Sequence, residues 1–385
     1  MVPPTPSTPP MEPVMTISVN RRQFILGSAA VIAQMGLARH ALAQTPKRVA
    51  VPTVDSLTIR VITDSSYDTD RPGASKWVKI RRAPVRLPPG IDWRRTLHNE
   101  WGLSLALESR IGPEARHLLL DFGFTPNALL NNMEYMGIDG AKMHGLIMSH
   151  GHNDHFGGLP GYLDKFRSKL PDELALYAGG EDNFCNRVVQ RGGPGLFTDS
   201  GVLDRRDLEK HRVKIVSCEQ PTVIMGHAFS TGMIARRSFE RVGAGALVEY
   251  YKTKGVGCDM PEANATAGGK PIADSQMHEH GTCFNVKDRG LVVISSCGHA
   301  GIVNTVRQAM EVSGVNKVHA ALGGFHLFPA PEDYLRQTVA EMKTLDPDVI
   351  IPMHCSGPGL IALLRTDLAD RVLTSTTGTE YTFGA

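Results

Sequence analysis

The chain has 385 residues, enough to bury a large core, and its composition is that of an ordinary globular protein. It carries 41 basic and 39 acidic side chains, a formal charge of only +2. So small a net charge excludes a strong field that would recruit nucleic acid or an anionic membrane, and we expect neither as a partner. The six cysteines are irregularly spaced, form no CxxC zinc framework and indicate no disulfide pair, so each is expected to be a small buried residue.

The first 43 residues predict a disordered start followed by an export signal. Residues 1–10 are rich in proline, and Arg21-Arg22 precede an apolar run at 24–38 that is too short to insert stably in a membrane. Ala41-Leu42-Ala43 offers cleavage after Ala43. This pattern is typical of a twin-arginine signal peptide, with a helix of the mature protein as the alternative. We therefore expect export by the twin-arginine translocation machinery, a periplasmic location and a mature domain at 44–385.

From residue 57 onward, short β-rich runs alternate with amphipathic stretches, as in an α/β domain. Strands are predicted at Leu57–Thr63, Leu103–Ser109, His117–Gly123 and Met143–His150. A helix is predicted over Thr125–Gly137, with Thr125 as its cap and Pro126 in its first turn. The Gly-rich segment at about 192–281 is interpreted as loop insertions that shape a pocket.

Three later apolar runs each lead to a histidine at their carboxyl end. They are RGLVVISSCGHAG (289–301), KVHAALGGFHL (317–327) and PDVIIPMHCSG (347–357), and a helix is predicted to begin near Ile302. Continuous apolar runs predict strands covered on both faces. The carboxyl ends of such strands are where α/β sheets build their sites.

The stretch SHGHNDHFGGL follows the strand at 143–150 and contains the pattern HxHxDH. Imidazole and carboxylate are ligands that Zn(II) and Fe(II) prefer. His150 and His152 can converge on one metal, while Asp154 and His155 turn toward a second. Two such ions would share a water that becomes a hydroxide nucleophile, which Asp154 would also orient. Three glycines fit a tightly turning loop around the ions: Gly151, Gly157 and Gly158.

The HxHxDH pattern after a buried strand resembles the metallo-β-lactamase superfamily. Further stretches are similar to its branch around 7,8-dihydropterin-6-methyl-4-(β-D-ribofuranosyl)-aminobenzene-5′-phosphate synthase: NEWGLSLALES (99–109), LLLDFGFTPNAL (118–129), STGMIARRSFE (230–240), SSCGHAGIVN (295–304), GGFHL (323–327) and IPMHCSG (351–357). The resemblance covers about residues 57–385. It implies an α/β fold, the four-layer αββα sandwich, with metals at one edge of the sheets.

The resemblance also implies further ligands. His354 matches the last histidine of the superfamily, expected on the second metal. The TPGHT-like turn that usually supplies a third histidine to the first metal is missing, so His299 is favoured for that role, with His227 as the alternative. Cys297 stands where a bridging aspartate is expected, which puts the second ion in question. The expected cofactor is Zn(II), as one or two ions, with Fe or Mn as alternatives.

Several other polar residues are candidates for a role in or near the site. His326 is a neighbour of the metal or a general acid for the leaving group, or else a buried hydrogen-bonded histidine. Arg236 and Arg237 bind a phosphate or carboxylate of the substrate, or are solvated loop charges. Asp121 is expected to hydrogen-bond the metal loop. His278 and His280 are expected in a loop, without a ligand role.

We expect a metal-dependent hydrolase that uses a metal-bound hydroxide on a small-molecule ester, lactone, phosphodiester or amide. One alternative is a synthase-like enzyme that forms a C–N bond, and another is a non-catalytic metal-containing binding or sensing protein. The diiron oxygen-reducing members of the superfamily have the related pattern HxExDH. Here the second ligand position holds His152 in place of that glutamate, which favours hydrolysis.

Overall fold

A computed structural model describes residues 47–68, 74–84, 90–190, 195–241, 246–253, 255–260 and 270–384. These residues lie in one compact unit that runs from Thr45 to Ala385. The signal-peptide prediction at 1–43 falls outside the described residues, and it stays a prediction together with the domain boundary. Within the described part of the chain, no helix is both long and apolar enough to cross a bilayer.

Numbered along the chain, the strands are β1 (Thr53–Val54), β2 (Ser56–Thr63), β3 (Lys79–Arg82), β4 (Ser104–Ile111), β5 (Glu114–Leu120), β6 (Gly145–Met148), β7 (Ala175–Ala178), β8 (Asn186–Gln190), β9 (Phe197–Asp199), β10 (Lys214–Ser217), β11 (Thr222–Ile224), β12 (Ala228–Ser230), β13 (Ala246–Glu249), β14 (Lys252–Thr253), β15 (Val256–Gly257), β16 (Ile272–Ala273), β17 (Thr282–Val286), β18 (Gly290–Ser295), β19 (Val318–Gly324), β20 (Val349–Met353) and β21 (Thr379–Gly384). The α-helices of the described residues are α1 (Pro126–Tyr135), α2 (Asn153–Phe156), α3 (Leu159–Phe166), α4 (Arg205–Lys210), α5 (Ile302–Ser313), α6 (Glu332–Leu345) and α7 (Pro358–Asp367).

Two large mixed sheets carry the fold. The eight-stranded sheet has the order β10-β7-β6-β5-β4-β2-β21-β3. The seven-stranded sheet has the order β11-β12-β17-β18-β19-β20, with β1 parallel to β17. The neighbours β5, β6 and β7 run parallel, as do β18, β19 and β20, so their carboxyl ends gather at common edges.

Side chains alternate between the two faces of each sheet, and this alternation creates the layers. On β18, Val292 and Ile294 join the core between the sheets, whereas Leu291 and Val293 face the outer core that contains α5, α6 and α7. On the other sheet, outward-facing residues such as Leu146 pack with α1 and α3. The layers are therefore helix, sheet, sheet, helix, which is the predicted αββα sandwich.

The local predictions agree closely with the observed elements. The helix predicted over Thr125–Gly137 spans Pro126–Tyr135, because the Thr125 hydroxyl accepts the Ala128 amide at 3.3 Å and caps it. The helix predicted near Ile302 begins there. The described residues of the segment at 192–281 include several strands: β9, β13 and β16 pair with β8 in a separate four-stranded sheet, and β10, β11 and β12 extend the two main sheets.

Cys185 and Cys258, which the sequence did not indicate as a pair, form a disulfide. This disulfide joins two points 73 residues apart within the region of the small sheet. The other cysteines, Cys218, Cys283, Cys297 and Cys355, are free and buried, as predicted.

Candidate metal centre

Asp121 organises the histidine-rich loop that follows β6. One carboxylate oxygen accepts the Ser149 amide at 2.8 Å, and the other accepts the Ser149 hydroxyl at 2.7 Å and Nδ1 of His155 at 2.8 Å. Because the Ser149 hydroxyl donates to Asp121, its oxygen accepts Nδ1–H of His150 at 2.9 Å. These bonds leave Nε2 of His150 and His155 as the free ring nitrogens, and they confirm the role expected of Asp121.

Glycines let this loop pack against its neighbours. A Cβ at Gly151 would lie 2.2 Å from the carbonyl oxygen of Asn183. A Cβ at Gly157 would lie 2.1 Å from that of Phe124, and one at Gly158 would lie 2.1 Å from that of Phe122. Gly157 and Gly158 have ordinary helical φ values, so close approach of other backbone segments, more than turning, requires glycine here.

Three imidazoles form the first donor group: His150, His152 and His299. Their ring centroids lie 4.6 to 4.9 Å apart. One ring nitrogen of each histidine lies within 4.8 Å of a ring nitrogen of each of the other two. Burial lowers the pKa of His150 and of His299 well below the usual value, and lowers that of His152 to about 4 against the effect of Asp274. The three rings therefore stay neutral, the form in which imidazole binds a metal.

Asp154, His155 and His354 form the second donor group. Oδ2 of Asp154 lies 3.7 Å from Nε2 of His155 and 3.3 Å from Nε2 of His354. Burial acts to lower the pKa of His155, but the carboxylates of Asp154 and Asp121 outweigh it and raise the pKa to about 9. Two carboxylates around a buried imidazole favour a positive charge at this position, and a bound metal cation would supply that charge.

Two residues that directly follow strand β2 hold His354. The Asp64 carboxylate accepts the His354 amide at 2.8 Å, and the Ser65 hydroxyl lies 2.9 Å from its Nδ1. His354 adopts a positive φ of 50°, and Asp121 and His326 are likewise left-handed, at 55° and 46°. Such backbone is rare for residues other than glycine and is typical of functional sites.

Cys297 and Cys355 lie among the donor groups. Sγ of Cys297 belongs to possible ligand sets with His150 and His155, and with His354 and Cys355. Burial and the Cys355 sulfur raise the pKa of the Cys297 thiol. Burial also acts to raise the pKa of Cys355, but the Cys297 thiol and the His354 imidazole outweigh it and lower that pKa.

A buried network that the sequence did not indicate supports His152. Oδ2 of Asp274 lies 3.8 Å from Nε2 of His152 and accepts from Arg187 at 2.9 Å. Arg187 also donates to Asp182 at 3.2 Å and contacts Nδ1 of His278 at 3.0 Å. His152, Asp274 and His278 form a further possible ligand set. The MHEH stretch was the one available signal, but the loop it lies in gives no periodicity from which its position could be predicted.

Glu279 holds the loop that carries His299. Its carboxylate accepts the amides of Gly298 at 2.7 Å and Ala300 at 2.6 Å. His280, next to Glu279 in sequence, lies in the loop before β17, as expected, and its Nε2 contacts the carbonyl of Met148 at 3.1 Å. MHEH therefore ties the ends of β6 and β18 together at the site.

The remaining predicted residues lie in different places. His227 contacts Ser109 at 2.9 Å and stands apart from the donor groups, which favours His299 as the third histidine. Arg236 donates to the backbone of Ser275 and Gln276, and Arg237 pairs with Glu311. Neither arginine is among the residues that line the cavities described below, so their role in substrate binding stays a prediction.

Both donor groups open into one cavity of about 590 Å³. The half-exposed rings of Trp101 and Phe124 stand on its wall, and strands β8 and β9 of the small sheet form another side. His326 lies between this cavity and a second one of about 330 Å³ lined by apolar residues such as Phe328. From the segment at 192–281, the cavity is lined by Thr198, Asp199, Ser200, Ala246 and Gln276.

The mixed α/β fold of the described residues matches that of a solved metallo-β-lactamase-fold structure, and part of the chain matches the corresponding family model. Residues 109–170, which contain the HxHxDH loop, match the family model described as the metallo-beta-lactamase superfamily. The solved structure of Tm1679, described as a metal-dependent hydrolase of the beta-lactamase superfamily, shares the fold with a TM-score of 0.60 at 19% identity, covering 84% of this chain and 98% of that one. The fold implies metal ions in general.

Two curated proteins of Methanocaldococcus jannaschii are similar in sequence. One is 7,8-dihydropterin-6-methyl-4-(beta-D-ribofuranosyl)-aminobenzene-5'-phosphate synthase, which is 28% identical over 262 residues, 67% of this chain and 82% of the relative. The other is described as uncharacterized and is 28% identical over 218 residues, 55% of this chain and 68% of the relative.

Proposed function

We propose that this protein is a metal-dependent hydrolase of a small-molecule ester, lactone, phosphodiester or amide, with zinc as its metal. The observation that carries the proposal is the convergence of two donor groups on one cavity. In both groups, buried ring nitrogens lack hydrogen-bond partners among the described residues: Nε2 of His150, His155 and His354, and both nitrogens of His299. Buried polar atoms without partners are costly unless a ligand such as a metal satisfies them.

The donor sets fit zinc at two positions. His150, His152 and His299 would hold the first ion, and Asp154, His155 and His354 the second. When bound, the ions supply Lewis acidity and an activated water for hydrolysis. Asp154 would orient that water as a carboxylate. Burial acts to raise the pKa of Asp154, but His155 and His354 outweigh burial and keep the carboxyl group ionised.

His326 would protonate the leaving group. Its Nδ1 lies 3.4 Å from Sγ of Cys297, which leaves Nε2 to serve a substrate in either of the cavities that the ring separates. Trp101 and Phe124 would bind a planar or apolar part of the substrate, because their rings offer apolar surface on the cavity wall.

We also propose that the protein is exported by the twin-arginine route to the periplasm. The Cys185–Cys258 disulfide supports this location, because structural disulfides persist in oxidising compartments. Replacing Arg21 and Arg22 together by lysine is expected to retain the precursor in the cytoplasm. Export of that variant at the normal level would contradict the route.

A synthase-like reaction that forms a C–N bond is the second candidate. The 28% identity to the archaeal synthase favours it, since that relative is matched over 82% of its length. The proposed export argues against it, because a pterin partner from biosynthesis would be cytoplasmic.

The test is metal analysis followed by turnover of p-nitrophenyl esters and phosphodiesters, lactones and cephalosporins. We expect zinc to co-purify and to be needed for turnover of at least one class. His152→Ala is expected to lose most metal and all metal-dependent turnover, whereas the matched variant His227→Ala retains both. Bound metal without turnover across the panel would favour a binding protein, and turnover only of a pterin with an aminobenzene riboside would favour the synthase.

A further inference from the structure

Two thiols face each other inside the metal centre. Sγ of Cys297 lies 3.2 Å from Sγ of Cys355, and each residue is only 2% exposed. Both residues line the 590 Å³ cavity, so a small molecule that enters the cavity reaches them. The other free cysteines, Cys218 and Cys283, lie in the hydrophobic core and not among the lining residues of this cavity.

The fold brings these thiols together across an intervening strand. Cys297 follows β18 and Cys355 follows β20, and β19 lies between them. The strand β19 ends at Gly324, where a Cβ would lie 2.9 Å from Sγ of Cys355 and 3.1 Å from Cα of Cys297. The absence of a side chain at Gly324 therefore leaves the space in which the two sulfur atoms meet.

We propose that Cys297 and Cys355 are a reversible oxidation site, and that their disulfide and the metal-loaded centre exclude each other. A disulfide needs the sulfur atoms about 2.05 Å apart, so they must approach by only about 1.2 Å. Besides the Cys297 sulfur, Cys355 Sγ contacts the Cys297 carbonyl and the His326 amide, both at 3.2 Å.

A small peroxide balances the chemistry. One thiol is oxidised to a sulfenic acid while the O–O bond of hydrogen peroxide breaks and one water leaves. The second thiol then attacks the sulfenic sulfur, forms the S–S bond and releases a second water. Two thiols and one peroxide thus give one disulfide and two waters.

That the disulfide and bound metal exclude each other follows from the position of Cys297. This part of the proposal rests on the proposed function. The Cys297 sulfur lies within 4.8 Å of possible ligand atoms in both donor groups. Drawing that sulfur into a bond with Cys355 would remove a sulfur donor that lies within reach of both donor groups. Conversely, an ion held by these donor groups would take the sulfur as a further ligand and make it unavailable to an oxidant.

The test treats the mature protein, metal-free or zinc-loaded, with stoichiometric hydrogen peroxide. Remaining thiols are then alkylated under denaturing conditions and the peptides are mapped by mass spectrometry. We expect a Cys297–Cys355 crosslink in the metal-free protein only, reversal by dithiothreitol, and at least a tenfold loss of zinc affinity in the crosslinked form. Cys218 and Cys283 should stay alkylated throughout.

The single variants Cys297→Ser and Cys355→Ser should give no crosslink, while Cys283→Ser, with a core cysteine replaced, should still give it. No crosslink in the wild-type protein, or crosslinking at equal rates with and without zinc, would overturn the proposal. So would a crosslinked form with unchanged zinc affinity. If the reduced protein binds no metal yet the crosslink forms, the proposed function fails while the oxidation site stands.

Discussion

Replacing Asp121 by asparagine should weaken metal binding at the second position without unfolding the protein. The carboxylate accepts three hydrogen bonds, two from Ser149 and one from His155. The asparagine amide keeps the shape but has one acceptor oxygen and one donor nitrogen. When the oxygen keeps the Ser149 amide, the NH₂ group faces Nδ1 of His155, so the ring must move its proton to Nε2 and lose its free lone pair.

The magnitude follows from the bonds at stake. Hydrogen bonds to charged groups contribute about 1.5–3 kcal/mol each, and about 1.4 kcal/mol corresponds to a factor of ten in affinity. Replacing a partner of a metal-binding histidine costs about 10- to 100-fold in metal affinity. We therefore expect Asp121→Asn to lose about 10- to 100-fold in zinc affinity at the position of His155, with a smaller effect at the three-histidine position.

The assay is zinc titration against a chromophoric chelator, together with thermal unfolding. The chain offers a matched control in Asp348, which accepts from Nδ1 of His319 at 2.8 Å at the opposite, amino-terminal end of β19. Asp348→Asn removes the same kind of pair and should change stability but not zinc affinity. Equal zinc affinities for Asp121→Asn, Asp348→Asn and the wild type would refute the reasoning.

Three further predictions concern the ligands and the scaffold. His299→Ala should lose the metal of the three-histidine position, whereas His227→Ala should keep it; metal analysis that shows the reverse would make His227 the ligand. The double variant Cys185→Ser/Cys258→Ser should lower the free energy of unfolding by about 4 kcal/mol, since the disulfide closes a long loop; denaturant unfolding with no change would contradict this. Gly157→Ala should lower the free energy of unfolding by about 1–3 kcal/mol, because the added Cβ would lie 2.1 Å from the Phe124 carbonyl oxygen. Gly359→Ala is the control, since its Cβ would meet only the Leu335 side chain, at 3.2 Å.

Local features could be predicted from the sequence because local rules decide them. The cap at Thr125, the start of α5 at Ile302 and the buried strand before His150 all follow from patterns within a few residues. The small four-stranded sheet does not, because β8 pairs with β13 across more than fifty residues of chain. The Cys185–Cys258 disulfide joins residues 73 apart, and nothing near either cysteine indicates the other.

The HxHxDH motif identifies ligands but cannot by itself position them. Each ligand is oriented by a partner that the fold brings from elsewhere: Asp121 is 34 residues from His155, and Ser65 is 289 residues from His354. Asp274 faces His152 from the loop before β17, and Glu279 fixes the backbone around His299. A bound metal adds more to stability the more tightly it binds the folded state, with a logarithmic dependence on affinity, and these partners exist only in that state. Metal binding and global stability should therefore fall together in variants of the orienting partners, whereas variants of surface pairs such as Arg237 with Glu311 should leave both almost unchanged.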